Sequence, residues 1–276
     1  LLLQKRLSQV TSWIEAATNQ HRVHGKVITN GAVTGRMTHH SPNLAQIPSV
    51  HAEYGSECRE QWVVDPGYKL VGIDASGLEL RMLAHYMEDE EYTKEVVDGD
   101  IHTKNQLAAG LDTRAKAKTF IYAFLYGAGA KKIGSITGTN GTVIIDKFMK
   151  NVPALAKLKE KIAVNLRNKG SLPGLDGRRL FIRSEHAALN TLLQGAGAVV
   201  MKKALVILNK YIKLHELDAH FVANVHDEWQ LEVKEEEAEL VGQLGVKAIV
   251  EAGKALRLNC PLDGEYKVGD NWKQTH

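Results

Sequence analysis

Arg114, Lys118, Tyr122 and Tyr126 recur at intervals of four residues. A residue turns about 100° in an α-helix, so a step of four advances only about 40° and all these side chains share one face. Cations come first on that face and aromatics second. Leu111-Asp112-Thr113 supplies an N-cap, which sets the cations on the first turns, where unpaired N–H groups and the helix dipole already favour an anion. Lys118 and Tyr126 stand about 12 Å apart along such a helix, so the aromatics could support a base while the cations hold phosphates. The same spacing also fits a solvated basic first turn followed by ordinary core aromatics.

A second set of residues carries acids. Tyr68-Lys-Leu-Val-Gly-Ile-Asp74 reads as an apolar strand ending in a carboxylate, and Leu78 to His85 then has helical periodicity. Asp74 is thus either a reactive acid at a strand end or the cap of the next helix. From His220 to Val233, β-prone arms flank His226-Asp227-Glu228, which puts Asp227 at or beside a hairpin tip. Asp74 and Asp227 are 153 positions apart, yet they could lie side by side on one sheet. Adjacent carboxylates repel, and paired divalent cations remove that conflict while activating an attacking oxygen and stabilising a leaving one. Mg²⁺ suits such a site because it takes few carboxylates and fills its remaining positions with phosphate oxygens and water. A nucleotide-holding helix together with an acid pair describes nucleotidyl transfer.

The elements that must position these groups are legible in outline. Leu3, Leu7, Val10 and Ile14 form a helical stripe with too little around it to make a domain. Lys26 to Thr38 reads as a hairpin turning tightly at Asn30-Gly31, with Arg36 leaving it. Glu88 to Glu91 reads as a solvated acidic turn, and His102, after Gly99-Asp-Ile, opens another helix, where a lone histidine is commonly structural. Arg178 to Arg183 reads as a strand, His186 to about 217 as a long helix carrying Asn190 and Gln194, and the last helix as packing material weakened slightly by glycines.

Composition narrows the partners. The net charge is only +3, but residues 112–183 hold 15 Lys and Arg against four Asp and Glu, so the middle of the chain carries +11 and the rest −8. Such a segment suits a phosphate-contacting surface, with a merely solvated helical face as the alternative. No stretch reads as a membrane span or signal peptide, which points to a soluble protein. Cys58 and Cys260 are too few for a disulfide framework and fit a reducing compartment. The start at Leu1, inside a helical pattern, suggests a truncated chain with upstream domains missing.

Taken together, the motifs resemble family A DNA polymerases, of the phage replicative type. Asp74-Ala-Ser-Gly-Leu-Glu79-Leu-Arg81 is similar to that family's first carboxylate motif, Arg114 to Gly127 to its fingers helix, and Val225-His-Asp-Glu228 to its second carboxylate motif. Thr34-Gly-Arg36, Ser41-Pro-Asn-Leu44, Leu175-Asp-Gly-Arg178, Ala188-Leu-Asn190, Gln194-Gly and Asn271-Trp also resemble family segments, in the family's order. The resemblance implies an α+β fold of right-hand architecture: a palm with an antiparallel sheet carrying the acid pair, and mainly helical fingers. Residues 1–20 would be the remnant of a thumb, 21–87 the first part of the palm, 88–185 the fingers and 186–276 the second part of the palm.

Carried over residue by residue, the resemblance implies that Asp74 and Asp227 bind two Mg²⁺ ions, with Mn²⁺ as a substitute and the Ala75 carbonyl assisting. Arg114, Lys118 and His102 would hold the triphosphate, and Lys118 would also give a proton to departing pyrophosphate. Tyr122 would pack on the incoming sugar and base, its type implying tolerance of dideoxynucleotides, while Glu79 would block a ribose 2′-hydroxyl. Tyr126 would stack near the templating position, Arg36, Asn190 and Gln194 would read minor-groove acceptors, His226 would touch the primer terminus, and Glu228 would support the metals. The implied partners are primer–template DNA, dNTPs and a processivity factor acting through the missing thumb, in a host cytoplasm. The alternatives are a single-subunit RNA polymerase, against which Glu79 argues, a noncatalytic DNA-binding module, against which the intact acid pair argues, and a fragment inactive without its N-terminal part.

Overall fold

The computed structural model describes every residue from Leu1 to His276. The chain opens with helix α1 (Leu2–Ala16), strands β1 (Lys26–Ile28) and β2 (Thr38–His40), a short helix α2 (Gly55–Glu60) and strand β3 (Tyr68–Ala75). A helical stretch follows: α3 (Leu78–Met87), α4 (Glu90–Val97), α5 (Ile101–Ala109), α6 (Arg114–Leu125), α7 (Ala130–Thr137), α8 (Gly141–Asn151) and α9 (Pro153–Lys169). A ribbon of β4 (Ser171–Pro173) and β5 (Arg179–Phe181) leads to the long helix α10 (Ala188–Leu214), then β6 (Ala219–Val225), β7 (Glu228–Lys234), α11 (Ala238–Ala255) and β8 (Gly264–Gly269). The expected α+β class is observed.

The chain divides into two compact units, the first comprising residues 1–76, 200–252 and 262–276, the second residues 77–199 and 253–261. The first unit is built on an antiparallel sheet of order β6-β7-β3-β8. Strand β3 can be central because Val71 and Ile73 give it a fully buried face, matched on β7 by Trp229, Leu231 and Val233. Helix α11 lies on that face through its glycines: a Cβ at Gly245 would come within 2.3 Å of Ile73, and one at Gly242 within 2.2 Å of Tyr266. Those glycines are sites of close approach, not just weaknesses in a packing helix. Val241, Leu244, Ala248 and Ala252 of this helix are buried, whereas Ala255 is exposed.

The first hairpin differs from expectation. Lys26 pairs with His40 and Ile28 with Thr38, so residues 29–37 form a long loop and not a tight turn at Asn30-Gly31. The extra length comes from a second turn, in which Gly35 N–H donates to Ala32 and Ala32 N–H to Arg36. Arg36 therefore stands within the loop.

In the second unit, α6 packs Ala117, Phe120, Ile121, Phe124 and Leu125 inward. Phe120 and Phe124 meet Phe148 of α8 edge-on, at ring distances of 5.2 and 5.7 Å. Glu88 to Glu91, expected as a solvated turn, instead begins a helix: Asp89 caps α4 by accepting from Tyr92 N–H. One helix, Glu185–Leu214, is long and apolar enough to cross a membrane by length and composition, contrary to the sequence reading. Leu189, Leu192, Leu193, Met201 and Leu208 of that helix are buried within the fold, the pattern of a core helix.

Candidate active site

Asp74 is the penultimate residue of β3, directly opposite Glu228 of β7 and Glu265 of β8. Asp227 lies at the tip of the β6–β7 hairpin, after His226, whose φ of 59° is left-handed. The tip closes on the end of β3, where Ala75 N–H donates to the Asp227 carbonyl at 3.1 Å. Sheet pairing thus brings together the two acids that are far apart in sequence. Burial pushes the Asp74 carboxyl up to about 8, with Asp227, Glu228 and Glu265 adding repulsion and Lys267 only partly relieving it. Near neutral pH the Asp74 carboxyl therefore tends to keep its proton unless positive charge is added. No cluster of three or more metal-ligating side chains occurs.

Glu228, expected as support for a metal, has its carboxylate committed elsewhere. Gln230 Nε2 and Trp272 Nε1 both donate to Oε1 at 2.6 Å, and His276 Nδ1 meets Oε2 at 2.8 Å. Burial raises its pKa, but these partners more than offset that and hold it below the ordinary range. Its observed work is to tie the hairpin to the C-terminal residues, a role with no signature in local sequence because every partner but Gln230 is over 40 residues away. His226 is exposed at the tip, close enough to His39 of β2 to disfavour protonation there, adding to the effect of burial.

The second unit carries the cationic face. Helix α6 begins at Arg114 with Thr113 accepting from Lys116 N–H, as the capping pattern predicts, and ends at Leu125 with Tyr126 as C-cap. Arg114 and Lys118 are exposed and Tyr122 is half-buried. His102, in the first turn of α5, brings its ring within 6.1 Å of the Tyr122 ring. Burial first, then the charges of Arg114 and Lys118, hold His102 below its ordinary pKa. Arg114, Lys118, His102 and Tyr122 therefore share one surface, with Arg114 Nε held by Asp100 Oδ2 at 2.7 Å. Asp100 escaped the sequence reading, although Gly99-Asp-Ile-His is a capping pattern; it accepts from His102 and Thr103 N–H at the start of α5.

Glu79, in the first turn of α3, accepts from the Tyr126 hydroxyl at 2.7 Å. Asn190 and Gln194 occupy successive turns at the start of α10 and are half-buried. Arg36 and His226 belong to the first unit.

Residues 2–274 match the family model for DNA polymerase family A. The DNA-directed DNA polymerases of Enterobacteria phage T3 and Escherichia phage T7 are each 42% identical over 316 aligned positions, which include all of this chain and 45% of the relative. The chain thus spans about half the length of these curated relatives. The POL domain of Pol1 from M. smegmatis, solved with a DNA primer-template and dNTP, superposes with a TM-score of 0.88 at 25% identity, over 97% of this chain and 51% of that one. With the family match running over nearly every residue and the antiparallel acid-bearing sheet in place, the chain belongs to DNA polymerase family A.

Proposed function

We propose that the chain carries the polymerising part of a DNA-templated DNA polymerase, which joins dNTPs to a primer 3′-hydroxyl. The supporting observation is that one chain holds both the Asp74–Asp227 pair, juxtaposed by the Ala75–Asp227 backbone bond, and the Arg114–Lys118–His102–Tyr122 surface. In this reading residues 21–87 and 186–276 act as palm, 88–185 as fingers and 1–20 as the end of a thumb.

The residues fit divalent cations, since the half-buried Asp74 carboxyl is pushed up to about 8 by burial first and then by the charge of Asp227, and a cation would relieve both effects. Asp74, Asp227 and the Ala75 carbonyl would hold two Mg²⁺ ions, which supply activation of the attacking oxygen and stabilisation of the leaving one. Arg114, Lys118 and His102 receive the triphosphate, Lys118 holding the proton that leaves with pyrophosphate. Tyr122 packs on the sugar and base. Glu79, anchored by Tyr126, fills the space of a 2′-hydroxyl, and that anchoring favours DNA synthesis over the RNA polymerase alternative. Arg36, Asn190 and Gln194 read minor-groove acceptors common to all correct pairs, so they test shape and not sequence. His226 meets the primer end.

The test is extension of a labelled primer on a short template with Mg²⁺ and each dNTP, comparing the chain with Asp227→Asn. Template-directed addition that vanishes in the variant supports the reading. Addition that persists in the variant refutes the role of the acid pair.

A further inference from the structure

The β4–β5 ribbon presents a surface that the core does not need. Leu180 of β5 pairs with Leu172 of β4 and both are 2% exposed, so this pair forms the inward side of the ribbon. Phe181 points the other way and is 69% exposed. Arg179, on the same face of β5 two residues before it, and Arg183, at the bend just past the strand, are both exposed. Lys169 and Arg167, exposed at the end of α9, lead into the same ribbon, and Glu185 is the only carboxylate between residues 177 and 187. A single exposed apolar side chain is ordinary on a protein surface. An aromatic ring with one guanidinium group about 6.6 Å before it along the strand and another at the bend just after it is a pattern suited to a base stacked between its backbone phosphates.

The position of the ribbon identifies the strand it would meet. A Cβ at Gly127 would come within 2.8 Å of the His186 carbonyl, so the end of α6 at Tyr126-Gly127 sits against the segment that follows β5. Arg183 is only three residues from His186, at most about 10 Å of chain. The chain then enters α10, with Asn190 and Gln194 on its first turns. We propose that the Arg179–Phe181–Arg183 strip is a stacking platform for the single-stranded template that has yet to reach Tyr126. Stacking on a phenyl ring tolerates every base, as a template path must. This inference rests on the polymerase reading above and adds a binding surface to it.

The test measures anisotropy of the chain with a labelled primer–template bearing a 5′ template overhang, and with the blunt duplex of the same primer. Wild-type protein is expected to bind the overhang substrate more tightly. Phe181→Ala is expected to lose about tenfold on that substrate alone, and Phe181→Trp to retain the affinity. Replacing Arg179 and Arg183 together by Gln is expected to reduce the salt slope of overhang binding by about 1.4, two single-strand phosphates. An overhang that adds no affinity to the wild type, or Phe181→Ala binding as the wild type does, overturns the platform. Primer extension on the same DNA separates the two ideas. Extension with overhang binding insensitive to Phe181 removes the platform alone, whereas Phe181-dependent binding without extension removes the activity alone.

Discussion

Asp74 shows how a site residue can work against the stability of its own fold. Its carboxyl is raised from 3.8 to about 8 by burial and by three neighbouring acids, so the folded chain holds its proton more tightly than the unfolded chain does. The contribution of this group to stability is therefore fully present below about 3.8 and is lost as pH rises through about 8. Without divalent cations, Asp74→Asn is expected to stabilise the protein by about 1–3 kcal/mol at alkaline pH and to flatten that fall, while abolishing extension. Denaturant melts across pH check it, and an unchanged pH profile would sink the account. Glu79 tests the sugar-selective role: Glu79→Ala is expected to lower dNTP-over-rNTP preference by about 100-fold, and Tyr126→Phe by less, because it removes only the 2.7 Å hydrogen bond that anchors the carboxylate. Single-nucleotide incorporation kinetics measure both. The type of each of these residues was legible from motif context, but the Asp74 shift comes from burial first and then from Asp227, with Glu228 and Glu265 adding to it, and only the folded sheet puts these beside Asp74.

At the scale of elements, α6 and α11 give different lessons. The start of α6 was readable because a cap is local: Thr113, Arg114 and the four-residue spacing are all within one short segment. Thr113→Ala is expected to cost about 1 kcal/mol of stability in urea melts and to weaken dNTP binding through the frayed first turn that carries Arg114. Helix α11 was legible as an apolar helix, but the purpose of its glycines was not. Gly245→Ala would drive a methyl into Ile73, one residue before Asp74, so a loss of about 1–3 kcal/mol is expected together with reduced extension. A neutral result in both readouts would show that α11 can shift away. The first hairpin went wrong for a related reason. Asn30-Gly31 is a strong turn signal, but strand register is chosen by pairing partners, and Lys26 with His40 leaves room for a second turn.

Across the whole molecule, the charge is divided and not large: +11 in residues 112–183 against −8 elsewhere. Affinity for primer–template DNA is therefore expected to fall at least about tenfold between 50 and 200 mM salt, while the melting temperature changes little, because released counterions belong to the phosphate contacts. Titrations and melts in the same buffers distinguish the two effects. Local pattern in the sequence determined much of this protein: helix α6 and its cationic face, strand β3 ending in an acid, the hairpin carrying Asp227, and the family to which they belong. Such features depend on periodicity, caps and turn residues within one stretch of chain. Tertiary structure alone decided that Ala75 bonds Asp227, that Glu228 is claimed by Trp272 and His276, that Asp100 holds Arg114, and that Phe181 is left uncovered. Each of these depends on which distant segments pack or pair, and neither a residue's type nor its immediate neighbours specify that choice.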